Sequence, residues 1–154
     1  MAYPTAASLD IAAPPETVWA LVSDLPRMGE WSPENAGGTW TKGATGPALG
    51  AVFKGTNKNG FRRWSTLVTV IACEPGVVFE FAVTSGPLAV ASWRYEFEET
   101  DAGCRVTESW VDQRKKWFAT LARVMGDHSA EHAEGEMKAT LSNLAAAAVA
   151  ANAG

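Results

Sequence analysis

At 154 residues the chain is long enough for one domain with a sizeable core. Hydrophobic residues make up 47% and charged residues 19%, a folded rather than a disordered composition. The net charge of -4 excludes a broad basic field of the kind that holds nucleic acid by phosphate neutralisation. No apolar run approaches the ~20 residues of a membrane helix, and the start lacks the basic and apolar regions of a signal peptide. Cys73 and Cys104 form no disulfide framework and are expected as free thiols. A cytoplasmic location and no membrane insertion are expected.

Thr5 to Ala12 reads as a first strand. Pro14-Pro15-Glu16 opens a helix, because proline suits the first turn and a carboxylate there favours the dipole. Val18, Trp19, Leu21 and Val22 give it an apolar side. Asp24 is placed to cap a second short helix through Met28 or Trp31, which Ser32-Pro33 closes. Period two then takes over. Residues 38–42 form a weak strand and 43–50 a loop. Ala51 to Thr56 is a strand, followed by an Asn57–Gly60 hairpin turn. Phe61 to Cys73, Val77 to Thr84, Leu88 to Glu99 and Cys104 to Val111 complete the strands, separated by turn residues. The tight turns make these neighbours antiparallel. From Lys116 small or apolar residues (Phe118, Ala122, Met125, Ser129, Ala133, Met137, Leu141, Leu144, Ala148) recur at the helical period, with a bend expected at Gly126-Asp127. The expected fold is α+β: a curved antiparallel seven-stranded sheet around a long C-terminal helix, with two short helices after the first strand.

Side-chain alternation gives each strand one inward set. Trp93, Tyr95 and Phe97 share a face, and Ser92, Arg94, Glu96 and Glu98 the other. The candidate ligand-binding residues on the strands are Trp40, Phe53, Trp64, Thr66, Val68, Phe79, Phe81, Trp93, Tyr95, Glu108 and Trp110. Met125, Ala133, Met137 and Leu141 are their candidates on the helix. Any one of these rings would serve equally as core. Large rings facing small helical residues either interdigitate or leave a hollow. Thr66, Tyr95 and Glu108 favour the hollow, since polar groups in a dry core are costly unless hydrogen-bonded.

Several segments resemble a known family. Ile11-Ala-Ala-Pro-Pro-Glu-Thr-Val-Trp19, Val22-Ser-Asp-Leu-Pro26 and Trp31-Ser-Pro33 resemble the N-terminal signature of the START-like (SRPBCC) superfamily, in its polyketide cyclase/dehydrase branch. Glu80 to Leu88, Ser92-Trp-Arg-Tyr95, Gly103 to Glu108 and Met137 to Leu141 are similar to its later strands and terminal helix. The resemblance implies a helix-grip fold with a cavity between sheet and helix. It also implies a pocket arginine and tyrosine in the aromatase/cyclases. Their positions fall near Val68 and Asn35, so that chemistry does not carry over. Trp64 and Trp93 match pocket aromatics of the branch.

Glu108 is the most informative ionisable position. Among rings its pKa would rise by desolvation, fitting it to general acid/base work or to hydrogen-bonding a ligand. The bland alternatives are a neutral structural carboxyl or a bulge that turns it outward. Tyr95 would donate to a ligand carbonyl or simply be a satisfied buried ring. His128-Ser-Ala-Glu-His132 spells H-x-x-E-H, but no third ligand accompanies it, so no metal and no cofactor are expected. The short basic runs Arg62-Arg63 and Arg114-Lys115-Lys116 read as solvated ends. The leading expectation is a monomer or homodimer that binds a hydrophobic small molecule and no nucleic acid. Its rivals are a cyclase, aromatase or dehydratase-type enzyme using Glu108 or Tyr95, and a protein-interaction module with a closed cavity.

Overall fold

The computed structural model describes residues 5–33, 35–113 and 130–153. Seven strands build one antiparallel sheet: β1 (Thr5–Ile11), β2 (Asn35–Thr41), β3 (Val52–Asn59), β4 (Arg62–Glu74), β5 (Val78–Ser85), β6 (Leu88–Thr100) and β7 (Gly103–Asp112). Their order across the sheet is β1-β7-β6-β5-β4-β3-β2. From β2 to β7 every strand pairs with its sequence neighbour, as the short turns require. β1 and β2 occupy the two opposite edges, and helix α1 (Pro15–Val22) and a 3-10 helix (Leu25–Glu30) connect them. Helix α2 (Ala130–Ala153) ends the described chain. The expected N-terminal half of that helix, with Phe118, Ala122, Met125, Ser129 and the Gly126-Asp127 bend, lies outside the described residues, as do His128 and the Arg114–Lys116 run.

Local differences from the sequence reading have local causes. The second short helix is a 3-10 helix, and Asp24 stands at its N-cap position without the expected side-chain hydrogen bond. Pro26 near its start already removes one of the backbone donors that a cap would satisfy. β2 begins at Asn35, earlier than period two suggests, because a bulge between Asn35 and Gly38 breaks the alternation. Gly38 adopts φ +152°, and a Cβ there would lie 2.1 Å from the Lys54 carbonyl oxygen. The β3–β4 turn is tighter than expected. Asn59 pairs with Arg62, leaving a two-residue loop, Gly60-Phe61, with Gly60 at φ +62°. Glycine first in such a loop supplies the positive φ that matches strand twist.

The main core joins α1, the 3-10 helix, the sheet and the C-terminal half of α2. Phe53, Val70, Phe79, Val106, Leu141 and Leu144 are at most 2% exposed, each contributing roughly 1.5–3 kcal/mol by burial. A second cluster joins Ala91 and Trp110 to Ala133 and Met137. Among the described residues α2 runs closest to β1, β7 and α1. The Trp19 indole N–H donates to the Val78 carbonyl at 3.0 Å, and Asn143 Nδ2 donates to the Trp31 carbonyl at 3.0 Å. These bonds fix α1 to β5 and α2 to the segment after the 3-10 helix. The described helix therefore lies toward the β1–β7 edge of the sheet, and among the described residues the faces of β3 to β6 are partly uncovered.

Candidate functional site

The uncovered part is a cavity of about 320 Å³, at the small end of the usual range for small-molecule sites. β3 and β4 supply Phe53, Gly55, Asn57, Trp64, Thr66 and Val68. β5 adds Phe81 and Val83, β6 Ala91, Trp93 and Tyr95, and β7 Glu108 and Trp110. Leu25, Met28 and Ser32 close it from the 3-10 helix side, and Glu136 and Thr140 from α2. Strand register explains the grouping. Phe53 faces Val68, Phe81 faces Trp93, Trp93 faces Trp110, and Tyr95 faces Glu108. The Trp93 and Trp110 ring centroids are 6.2 Å apart, and those of Phe81 and Tyr95 6.5 Å. Such spacings suit aromatic pairs.

Nine of the expected site residues line this space: Phe53, Trp64, Thr66, Val68, Phe81, Trp93, Tyr95, Glu108 and Trp110. Five others lie elsewhere. Trp40 stands edge-on to Phe53 at 5.3 Å, away from the lining. Phe79 is fully buried between Trp19 and Phe81. Ala133 and Met137 pack with Ala91 and Trp110, and Leu141 belongs to the main core. The helical period marks the apolar stripe that meets protein. The cavity instead meets the next stripe, Glu136 and Thr140. Met125 lies outside the described residues.

The alternation did not reveal the polar rim of Asn57, Asn59, Arg62 and Ser85. Asn57 and Asn59 continue the inward parity of Phe53 and Gly55, and Arg62 that of Trp64. A longer β3 would have exposed that signal. Asn57 Nδ2 donates to Thr66 Oγ1 at 3.2 Å, so Thr66 is satisfied within the wall. Val68 and Asn35, the positions where the resemblance implied an arginine and a tyrosine, both line the cavity. Asn35 Oδ1 accepts the Gly37 N–H at 2.7 Å, which ties its side chain to the bulge.

Tyr95 and Glu108 form the buried polar pair of the wall. The Tyr95 hydroxyl donates to Glu108 Oε1 at 2.6 Å. Glu108 is 2% exposed, and the β6–β7 register runs unbroken past it, so no bulge turns it outward. Its Oε2 is buried with no hydrogen-bond partner among the described residues. Burial pushes the Glu108 pKa up to about 8; the Tyr95 hydrogen bond opposes that rise, and the Glu136 carboxylate adds to it. Burial also holds the Tyr95 hydroxyl well above its ordinary value, with the Glu108 charge adding. At neutral pH Glu108 is therefore mostly the neutral acid, with a proton to give.

The sequence matches the family described as polyketide cyclase/dehydrase and lipid transport over residues 5–149. A polyketide cyclase-like protein of Corynebacterium glutamicum, known from a solution structure, is 36% identical. The match covers 96% of this chain and 87% of that one, with a TM-score of 0.53. A Thermus thermophilus protein matches at TM-score 0.71 and 16% identity, over 96% of this chain and 97% of that one. The di-domain ARO/CYC BexL from the BE-7585A biosynthetic pathway matches at TM-score 0.69 and 18% identity, over 93% of this chain and 48% of that one. At such identities the last two speak for the fold alone. No curated protein matches the sequence. With a helix-grip sheet, a walled cavity and a family match along nearly its whole length, the chain belongs to the polyketide cyclase/dehydrase and lipid transport family.

Proposed function

We propose that the chain binds a hydrophobic or aromatic small molecule, lipid-like or polyketide-like, inside this cavity. The observation that carries the reading is the composition of the wall. Phe53, Trp64, Phe81, Trp93 and Trp110 surround a space that holds one buried polar pair, Tyr95 and Glu108. Apolar burial would drive binding at roughly 25 cal/mol per Å². The polar pair would set orientation, since a few placed polar groups in an apolar pocket fix the pose of a ligand. Three lining tryptophans give a direct test. Titration with aromatic polyketides and fatty acids should quench or shift tryptophan emission saturably, and gentle extraction should release a co-purifying apolar molecule. Failure of every such ligand to saturate, together with an empty extract, would overturn the reading.

A second reading is supported by the geometry of the Tyr95–Glu108 pair, a carboxyl buried in the cavity wall with its Oε2 unpartnered among the described residues, where burial pushes the Glu108 pKa up to about 8. An acid poised near neutrality suits proton transfer in a cyclisation or dehydration. Val68 and Asn35 stand where the resemblance placed the arginine and tyrosine of aromatase/cyclases, which weighs toward binding without that chemistry. Single-turnover assays with poly-β-ketone mimics separate the two readings. Product formation that Glu108→Gln abolishes would favour the enzyme.

A further inference from the structure

We propose that the β3–β4 hairpin is a docking arm for the anionic surface of a lipid bilayer, which brings the cavity mouth against the membrane. Four observations meet there. First, the arm projects. β4 pairs with β3 from Arg62 onward but with β5 only from Leu67, so residues 62–66 overhang the sheet on that side. Second, its tip is apolar and naked. Phe61 is 107% exposed, the largest exposure of any large hydrophobic residue described. A full aromatic ring held in water by a two-residue loop has no role in the core.

Third, the arm is cationic. Its residues 52–66 contain four basic residues, Lys54, Lys58, Arg62 and Arg63, and no acidic one, in a chain of net charge -4. Lys58 and Arg63 stand directly opposite each other in the β3–β4 register. Like charges so placed repel. Lys58, Arg62 and Arg63 are exposed, and none makes an ion pair among the described residues. An anionic surface would relieve that repulsion. Fourth, Asn59 and Arg62, which flank the loop, belong to the cavity rim. Ser85 of the neighbouring β5–β6 turn lines it too, and Leu88 at the end of that turn is 38% exposed. An aromatic ring between cations is the composition that settles at a membrane interface. A nucleic acid would engage the cations but gives Phe61 nothing apolar to enter.

The docking is peripheral: among the described residues no helix is long and apolar enough to cross a membrane. It is also independent of the ligand reading, because it needs no molecule in the cavity. If both hold, an apolar ligand would pass between bilayer and cavity without crossing water.

The test is flotation of the full chain with vesicles of phosphatidylcholine alone and of phosphatidylcholine with about one third phosphatidylserine. Binding is expected to the mixed vesicles only, and it should fall steeply on raising salt to about 0.5 M. Phe61→Ser should weaken it about tenfold or more. Lys58→Glu with Arg63→Glu should weaken it about 25-fold or more, at roughly fivefold per cation. All three side chains are exposed, so an unchanged circular dichroism spectrum is expected of each variant. Absence of wild-type binding to the mixed vesicles, equal binding to both vesicles, or variants that bind like wild type would each overturn the proposal. So would binding of a duplex oligonucleotide without binding of vesicles. Ligand titrations on the same samples report the cavity separately.

Discussion

Tyr95 and Glu108 face each other across β6 and β7, and the tyrosine hydroxyl donates to the carboxyl over 2.6 Å within the cavity wall. This pair makes the interior of the protein pH-sensitive. Glu108 titrates near 8 in the folded chain and near 4.5 once unfolded, so between those values the folded state holds the extra proton.

Stability should therefore be greatest below about pH 4.5 as far as this group is concerned, and be lost as pH rises through 8. The full span is worth about 5 kcal/mol. Urea denaturation of wild type and Glu108→Gln at pH 5.5 and 8.5 isolates it, because other groups titrate alike in both. Wild type should lose several kcal/mol more than the variant over that interval. Parallel losses would refute the assignment.

Tyr95→Phe removes the hydrogen bond that holds the Glu108 pKa down. Carbon-detected NMR titration of Glu108 should show its midpoint moving up further in the variant. The variant should also be less stable by about 1–3 kcal/mol, since a second carboxyl oxygen loses its partner. A downward shift would contradict the geometry.

Val83 lines the cavity without belonging to the buried core. Val83→Phe should fill space a ligand would use. Affinity for any ligand found by fluorescence should fall about tenfold or more, while the melting temperature stays within a few degrees of wild type. Undiminished affinity would place the ligand elsewhere.

Gly38→Ala puts a methyl group where the Lys54 carbonyl lies 2.1 Å away and the Phe53 ring 2.8 Å. The backbone at φ +152° also resists a side chain. The β2–β3 pairing should weaken by roughly 2 kcal/mol or more, read as a lowered urea midpoint. Hydrogen exchange should rise first in Thr39 to Thr41.

The parts of the site that were legible in the sequence are those where strict alternation runs through a strand buried on one face. Thr66 and Val68, Trp93 and Tyr95, Glu108 and Trp110 could be assigned inward without a structure, because a pleat leaves a side chain only two directions. The helix was not legible in the same way. Ala133, Met137 and Leu141 form the expected apolar stripe, but a stripe records contact with protein, and a cavity offers none. Among the described residues its helical border is Glu136 and Thr140, which lie off that stripe. Leu25, Met28 and Ser32 escaped for another reason. Leu25 and Met28 sit on a 3-10 helix whose few residues carry no period, Ser32 follows that helix, and the inward aim of all three comes from the path between two sheet edges. The Asn57–Asn59 rim was hidden because polar residues at the end of a strand look like a turn.

That path has a mechanical meaning. β1 and β2 lie at opposite margins of the sheet yet are neighbours in sequence, so α1 and the 3-10 helix act as a hoop drawn across the open side. Leu25 and Met28 on that hoop, and Ser32 just beyond it, line the cavity. Slackening that hoop would widen the room for a guest without breaking any strand pair.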